Sequence, residues 1–247
     1  MDFSQSQANA IITGASSGIG KATALAFAKA GINVALVSRS LDALDTVAQA
    51  CTQQGVKAKP YVMDLNELAK IPGTIQEIVA DFGNIDIIVN NAGMGYTNLL
   101  RETPLADWQQ VINLNLTSVF QCVQGVLPQM RERKQGTIIN VASITATQAF
   151  PEWGAYSVSK AALLSFSKVL AVEERSNGIR VVAISPGAVN TPIWDTETVQ
   201  ADFERSAMLT PELVAQTILQ AALLPAEAVI EDLTILPSAG TLSLIHI

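Results

Sequence analysis

A chain of 247 residues without internal repeats or low-complexity tracts suits one large domain with a sizeable core. Its net charge of −7 comes with no basic cluster, which argues against nucleic acid and anionic membranes, and 49% hydrophobic against 15% charged residues points to a buried aliphatic sheet. The opening MDFSQSQANAIITG lacks the basic-then-apolar order of a secretory leader, no run of 18 apolar residues is free of charge, and Cys51 and Cys122 stand alone; a cytoplasmic protein with core thiols is expected.

Residues 9–13 form the first short apolar run, followed by glycines and a helical repeat of Ala, Leu and Phe over 18–30. A second strand is expected at 33–38, then a helix over 41–54 with Leu41, Leu44, Val47 and Ala48 on one face. A third strand is expected at 57–63. The stretch from 66 to 82 is ambiguous, because Pro72-Gly73 interrupts it. After a strand at 85–90, Thr103-Pro104 reads as an N-cap followed by proline at the first helical position, and 108–130 is a long periodic stretch. A strand at 137–141, a long helix over 155–175 and a strand at 180–184 follow. Thr210-Pro211 repeats the cap signal, and 233–236 closes the series. Strands alternating with helices predict an α/β fold, a doubly wound parallel sheet of about seven strands, Rossmann-like, in a single domain over residues 1–241.

Such sheets bind ligands beyond the carboxyl ends of their strands, so the residues found there carry the functional argument. The first strand runs into TGASSGIG. Its turn residues Gly14, Ser16, Ser17, Gly18, Ile19 and Gly20 allow close approach of a pyrophosphate to a helix N-terminus. The second strand ends in Ser38-Arg39-Ser40. An acid there would hold a ribose 2′-hydroxyl, whereas Arg39 accommodates a 2′-phosphate and predicts NADP(H) over NAD(H). Asp64 follows the third strand. Asn90, Asn91, Ala92 and Gly93 follow the fourth, where small residues and amides suit a flat ligand. Ser143 follows the fifth strand; Pro186, Gly187 and Thr191 follow the sixth.

The only histidine, His246, is the second-last residue, and no Cys/His cluster offers a metal site. A proton carrier must be sought elsewhere. Tyr156 and Lys160, four apart in YSVSK, share a helix face, and a nearby ammonium is expected to lower the tyrosine pKa toward a useful range. Ser143, thirteen residues earlier, can hold the same substrate oxygen.

Together TGASSGIG, Asp64, NNAG, NLNL, Ser143, YSVSK and PGAVNT resemble the short-chain dehydrogenase/reductase family, over nearly the whole chain from residue 9 to about 240. The resemblance implies a tetrad of Asn115, Ser143, Tyr156 and Lys160. Tyr156 is then the acid/base, Lys160 lowers its pKa and binds the nicotinamide ribose, Ser143 orients the carbonyl, and Asn115 holds a water that relays protons to Lys160. It also implies that Asp64 contacts the adenine end, that Asn91 lies along the cofactor, and that Thr191 meets the nicotinamide carboxamide. The implied activity is interconversion of a small-molecule carbonyl and a secondary alcohol or hydroxy acid. A homo-dimer or homo-tetramer built on the two long helices is implied as well.

The ending EDLTILPSAG departs from the Val-Asp-Gly-Gly strand of ketoacyl reductases and resembles hydroxy-acid and serine dehydrogenases. The lid region at 194–209 is short and mixed and names no substrate, while Trp153 is a candidate pocket wall. A catalytically silent nucleotide sensor of the same fold is the alternative, opposed by the intact tetrad. A nucleotide-sugar epimerase would need an added substrate domain. The last six residues, LSLIHI at 242–247, match the in-frame translation of a transposon adapter used in preparing DNA for sequencing. They are expected to be a read-through tail, which would make His246 foreign.

Overall fold

The computed structural model describes residues 8–201 and 204–240; the LSLIHI tail and lid residues 202 and 203 lie outside the described residues. Seven parallel strands form one sheet: β1 (Asn9–Thr13), β2 (Asn33–Ser38), β3 (Ala58–Val62), β4 (Ile87–Asn90), β5 (Gly136–Val141), β6 (Ile179–Pro186) and β7 (Asp232–Ile235). Their order is β3-β2-β1-β4-β5-β6-β7, so the direction of winding reverses between β1 and β4. The expected edges at 57, 85 and 236 fray away from these strands, as short strands do where pairing stops.

The period-two pattern of each strand divides the core in two. Ala10, Ile12, Val34, Leu36, Ile87 and Val89 pack toward α1 (Gly18–Lys29), α2 (Leu41–Thr52) and α7 (Pro211–Leu223). Ile11, Ala35, Val37, Ile88 and Ile138 face the opposite way, toward α3 (Ile71–Phe82), α5 (Ser118–Arg133) and α6 (Gly154–Glu174). With both faces covered, the central strands are hydrophobic at nearly every position. The stretch Gly154–Asn177 is long and apolar enough to cross a membrane by length and composition; in this fold Leu163 and Leu170 bury one side of it against the sheet.

Three local expectations are corrected. Pro72-Gly73 does not interrupt a helix but sits in the first turn of α3, where a missing N–H costs no hydrogen bond. Thr103 is not an N-cap: Pro104 takes the extended cap position, and α4 (Leu105–Ile112) starts one residue later than the proline signal implied. At the matching Thr210-Pro211 the reading holds, because the Thr210 side chain accepts from Leu213 N–H. Finally, the periodic stretch 108–130 is two helices, α4 and α5, joined by a π-helical turn at Asn113–Thr117. Such wide turns inside helices recur at functional sites, and this one contains Asn115.

Candidate active site

A cavity of about 750 Å³ opens at the carboxyl ends of the strands. One wall is the β1–α1 turn, with Gly14, Ser16, Ser17, Gly18 and Ile19. Two of its glycines are dictated by the packing around the turn. Gly14 holds φ +67°, and a Cβ on Gly20 would stand 2.1 Å from the Gly14 carbonyl oxygen. Gly20 does not line the cavity itself; it lets α1 start against the turn. The turn is tied to β4 by Thr13, whose hydroxyl accepts from the N–H groups of Asn91 and Ala92 at 3.0 Å each. Asn91 returns a side-chain bond to Thr13 O at 2.9 Å. Thr13 was quoted in the glycine motif, but nothing in the spacing revealed this bracing.

Arg39 and Asp64 line the cavity beyond β2 and β3, and Arg39 is exposed. Asp64 accepts from the backbone and side chain of Asn66 at 2.9 and 3.1 Å. Asn91, Ala92 and Gly93 line the middle, and Pro186, Gly187 and Thr191 the opposite side. Asn90 is corrected: its amide points into the protein, donating to Asn140 at 2.8 Å, and Asn140 donates to Ser167 at 2.8 Å. This buried polar chain links β4, β5 and α6.

Ser143, Tyr156 and Lys160 meet on the cavity floor. Tyr156 and Ser143 lie on the same cavity lining, and Lys160 Nζ lies 5.8 Å from the Tyr156 ring centre. Lys160 is buried and donates to Val141 O at 2.9 Å; burial without a counter-ion brings its pKa down to about 8. Burial likewise raises the Tyr156 pKa above the ordinary phenol value, and the neighbouring Ser143 only partly opposes this. The expected lowering by Lys160 is not found in this structure: burial sets the direction, and the Lys160 ammonium is turned toward Val141 O.

Asn115 does not line the cavity. It is fully buried behind it, accepting from Met94 N–H at 2.9 Å and donating to Met94 O and Ser159 Oγ at 3.0 Å each. Its amide is thus committed to holding two segments together. Gly93 permits this close approach, since a Cβ there would sit 3.1 Å from Asn115 Oδ1 and 3.4 Å from Lys160 Nζ. Ser159, which escaped the sequence reading, completes the brace by donating to Tyr156 O at 2.7 Å. No periodicity separates it from an ordinary helix serine.

A Gly-rich turn at the first strand end, a cavity at the point of sheet reversal and a Tyr–Ser–Lys floor define a nucleotide-binding oxidoreductase of the Rossmann type. The model of the family described as short chain dehydrogenase matches residues 8–202. The chain is 36% identical over 215 residues to the 3-oxoacyl-(acyl-carrier-protein) reductase FabG of Thermotoga maritima, covering 85% of this chain and 87% of that protein. Among solved structures, L-sorbose reductase from Gluconobacter frateurii, complexed with NADPH and L-sorbose, aligns with a TM-score of 0.86 at 31% identity over 99% of this chain and 100% of that one. NAD⁺-bound xylitol dehydrogenase aligns with a TM-score of 0.83 at 26% identity, covering 92% and 97%. This chain belongs to the short-chain dehydrogenase family and is an NAD(P)-dependent oxidoreductase.

Proposed function

We propose that this oxidoreductase uses NADP(H) to interconvert a carbonyl compound and a secondary alcohol or hydroxy acid, with Tyr156 as acid/base. Ser143, Tyr156 and Lys160, gathered in the same cavity as the glycine turn, carry this reading. The turn fits a dinucleotide, because Gly14 and Gly18 present backbone to the cavity at the N-terminus of α1. When bound, the nicotinamide supplies or accepts the hydride. Tyr156 gives its phenolic proton to the carbonyl oxygen during reduction and takes it back during oxidation. Ser143 holds that oxygen in line. Lys160 binds the ribose side and refills the tyrosine proton. Asn115 positions Met94 and, through Ser159, the turn of α6 that bears Tyr156.

Arg39 supports the NADP(H) preference: it stands at the cavity where an acid would otherwise meet the ribose 2′-hydroxyl. NADP(H)-bound and NAD-bound relatives both occur, so the family alone leaves the cofactor open. The exposed Phe120, Val169 and Val172 on α5 and α6 support a homo-dimer or homo-tetramer through those helices, and the separate buried thiols Cys51 and Cys122 support a reducing, cytoplasmic setting. The test is loss of reduced-nicotinamide absorbance with purified protein, NADPH and a carbonyl panel. Fluorescence titration should show tighter binding of NADPH than NADH, and Arg39→Asp should weaken or reverse that order. Equal wild-type affinities would remove Arg39 from the role.

A further inference from the structure

We infer that the substrate is an uncharged carbonyl compound bearing a flat hydrophobic group, an aryl ketone or its alcohol, seated against a tryptophan corner; this rests on the oxidoreductase reading above. Trp153 joins two aromatic partners edge-on: Tyr156 at 5.4 Å and 68°, and Trp194 at 5.7 Å and 69°. All three line the cavity, with Phe150, Ile144 and Ile193 beside them. The corner is held from both sides. Glu152, at φ +67°, makes the turn before Trp153, and its carbonyl accepts from Asn98 N–H at 2.8 Å. The Trp194 indole N–H donates to Val189 O at 2.7 Å. Thr198 Oγ1 donates to Gly95 O at 2.8 Å, which fastens the lid segment just after Trp194 over the site.

Charge selects against anions. Among the described residues, the only Asp, Glu, Lys or Arg side chains lining the cavity are Arg39, Asp64 and Lys160. The first two follow β2 and β3, at the far end, and the third lies beneath Tyr156 with its Nζ bonded to Val141 O. Arg205, the nearby lid cation, is committed to Asp195 at 2.6 Å and to Asn190 Oδ1 and Thr191 O at 3.1 Å each. With Asp195 neutralised by Arg205, Glu197 is left exposed on the lid, and the chain carries a net charge of −7. A substrate carboxylate or phosphate would approach a negative rim and find no cation beside the tryptophans. Neutral polar groups remain in Gln110 and Thr145.

The test compares acetophenone with phenylglyoxylate, which adds a carboxylate beside the same carbonyl, with 2-butanone, which lacks the ring, and with a 3-oxoacyl thioester of coenzyme A. With NADPH at pH 7, kcat/KM for acetophenone should exceed that for phenylglyoxylate and the thioester by at least about tenfold. Trp194→Leu should reduce the preference for acetophenone over 2-butanone about tenfold, and Trp194→Phe should keep it within about threefold. Binding is read separately, by quenching of tryptophan fluorescence with acetophenone or phenylglyoxylate in saturating NADP⁺. A preference for phenylglyoxylate or the thioester overturns the neutral aryl subsite while leaving the oxidoreductase reading intact. A Trp194→Leu variant that keeps the wild-type preference overturns the corner's role. Tight acetophenone binding with no turnover of any carbonyl upholds the subsite and overturns the reaction. Neither binding nor turnover overturns both.

Discussion

The two ends of α6 bury opposite charges under opposite terms. Near its start Lys160 is 4% exposed, has no carboxylate partner among the described residues, and donates to one backbone carbonyl. At its last residue Glu174 is 1% exposed but receives Arg131 through two guanidinium nitrogens and Asn177 at 2.9 Å. The Arg131 contact, chiefly, holds the Glu174 carboxyl below its usual range, whereas burial drags the Lys160 ammonium pKa down to about 8. A charge that only ties helices together is given its partners. A charge left short of them on a cavity floor is available to a ligand, at a cost in stability.

The largest effect should come from the catalytic end. Tyr156→Phe removes one hydroxyl and should cut turnover about 10²–10⁴-fold with little change in melting temperature or NADPH affinity. Wild-type turnover in that variant would remove the tyrosine from the chemistry.

Lys160→Met sharpens the contrast, because it should destroy activity while stabilising the fold. A fall from the ordinary lysine value of about 10.4 to about 8 corresponds to roughly 3 kcal/mol held against the charged form, an upper bound on the gain at neutral pH. The sign follows from proton binding. Between about 8 and the ordinary lysine range the unfolded chain holds a proton that the folded chain has lost, so wild-type stability rises with pH there. Below that window both forms are protonated and the full penalty applies. Chemical denaturation from pH 7 to 10 should show the wild type catching up with the variant; a less stable variant at pH 7 would break the comparison.

At the other end, Glu174→Gln should cost about 1 kcal/mol, a modest figure because half of the Arg131 side chain faces solvent. The lowered carboxyl pKa means the unfolded chain binds the extra proton in acid. The stability difference between wild type and Glu174→Gln should therefore be full at neutral pH and vanish as pH falls through the carboxylate range. Activity should stay near wild type, since Glu174 is remote from the cavity lining. The smallest effect belongs to a cap: Thr210→Ala should lose roughly 0.5 kcal/mol by thermal melt, more than Thr103→Ala, which removes no cap.

The legible part of the site is the part written in backbone. TGASSGIG announces a phosphate turn because a positive φ at Gly14 and the absence of Cβ at Gly20 are properties of glycine itself. Tyr156 and Lys160 were legible as a pair because helix geometry alone puts residues four apart on one face. The bracing was not legible. Thr13, Ser159 and the Asn90–Asn140–Ser167 chain each bond across 27 residues or more, or to a neighbour whose burial no local pattern reveals. Two identical Thr-Pro steps show the limit: Thr210 caps α7, while Thr103 turns its hydroxyl back to Leu99 O at 3.0 Å.

The sequence by itself determined the alternating strands, the glycine turn and the spacing of the reactive pair, because periodicity and residue geometry act over a few positions. Only the tertiary structure decided the direction of the Tyr156 pKa, the commitment of Asn115 and the meeting of Trp153 with Trp194. Those depend on how far water is excluded and on which distant segment arrives to replace it, and both are set when the whole sheet and its lid close around the site.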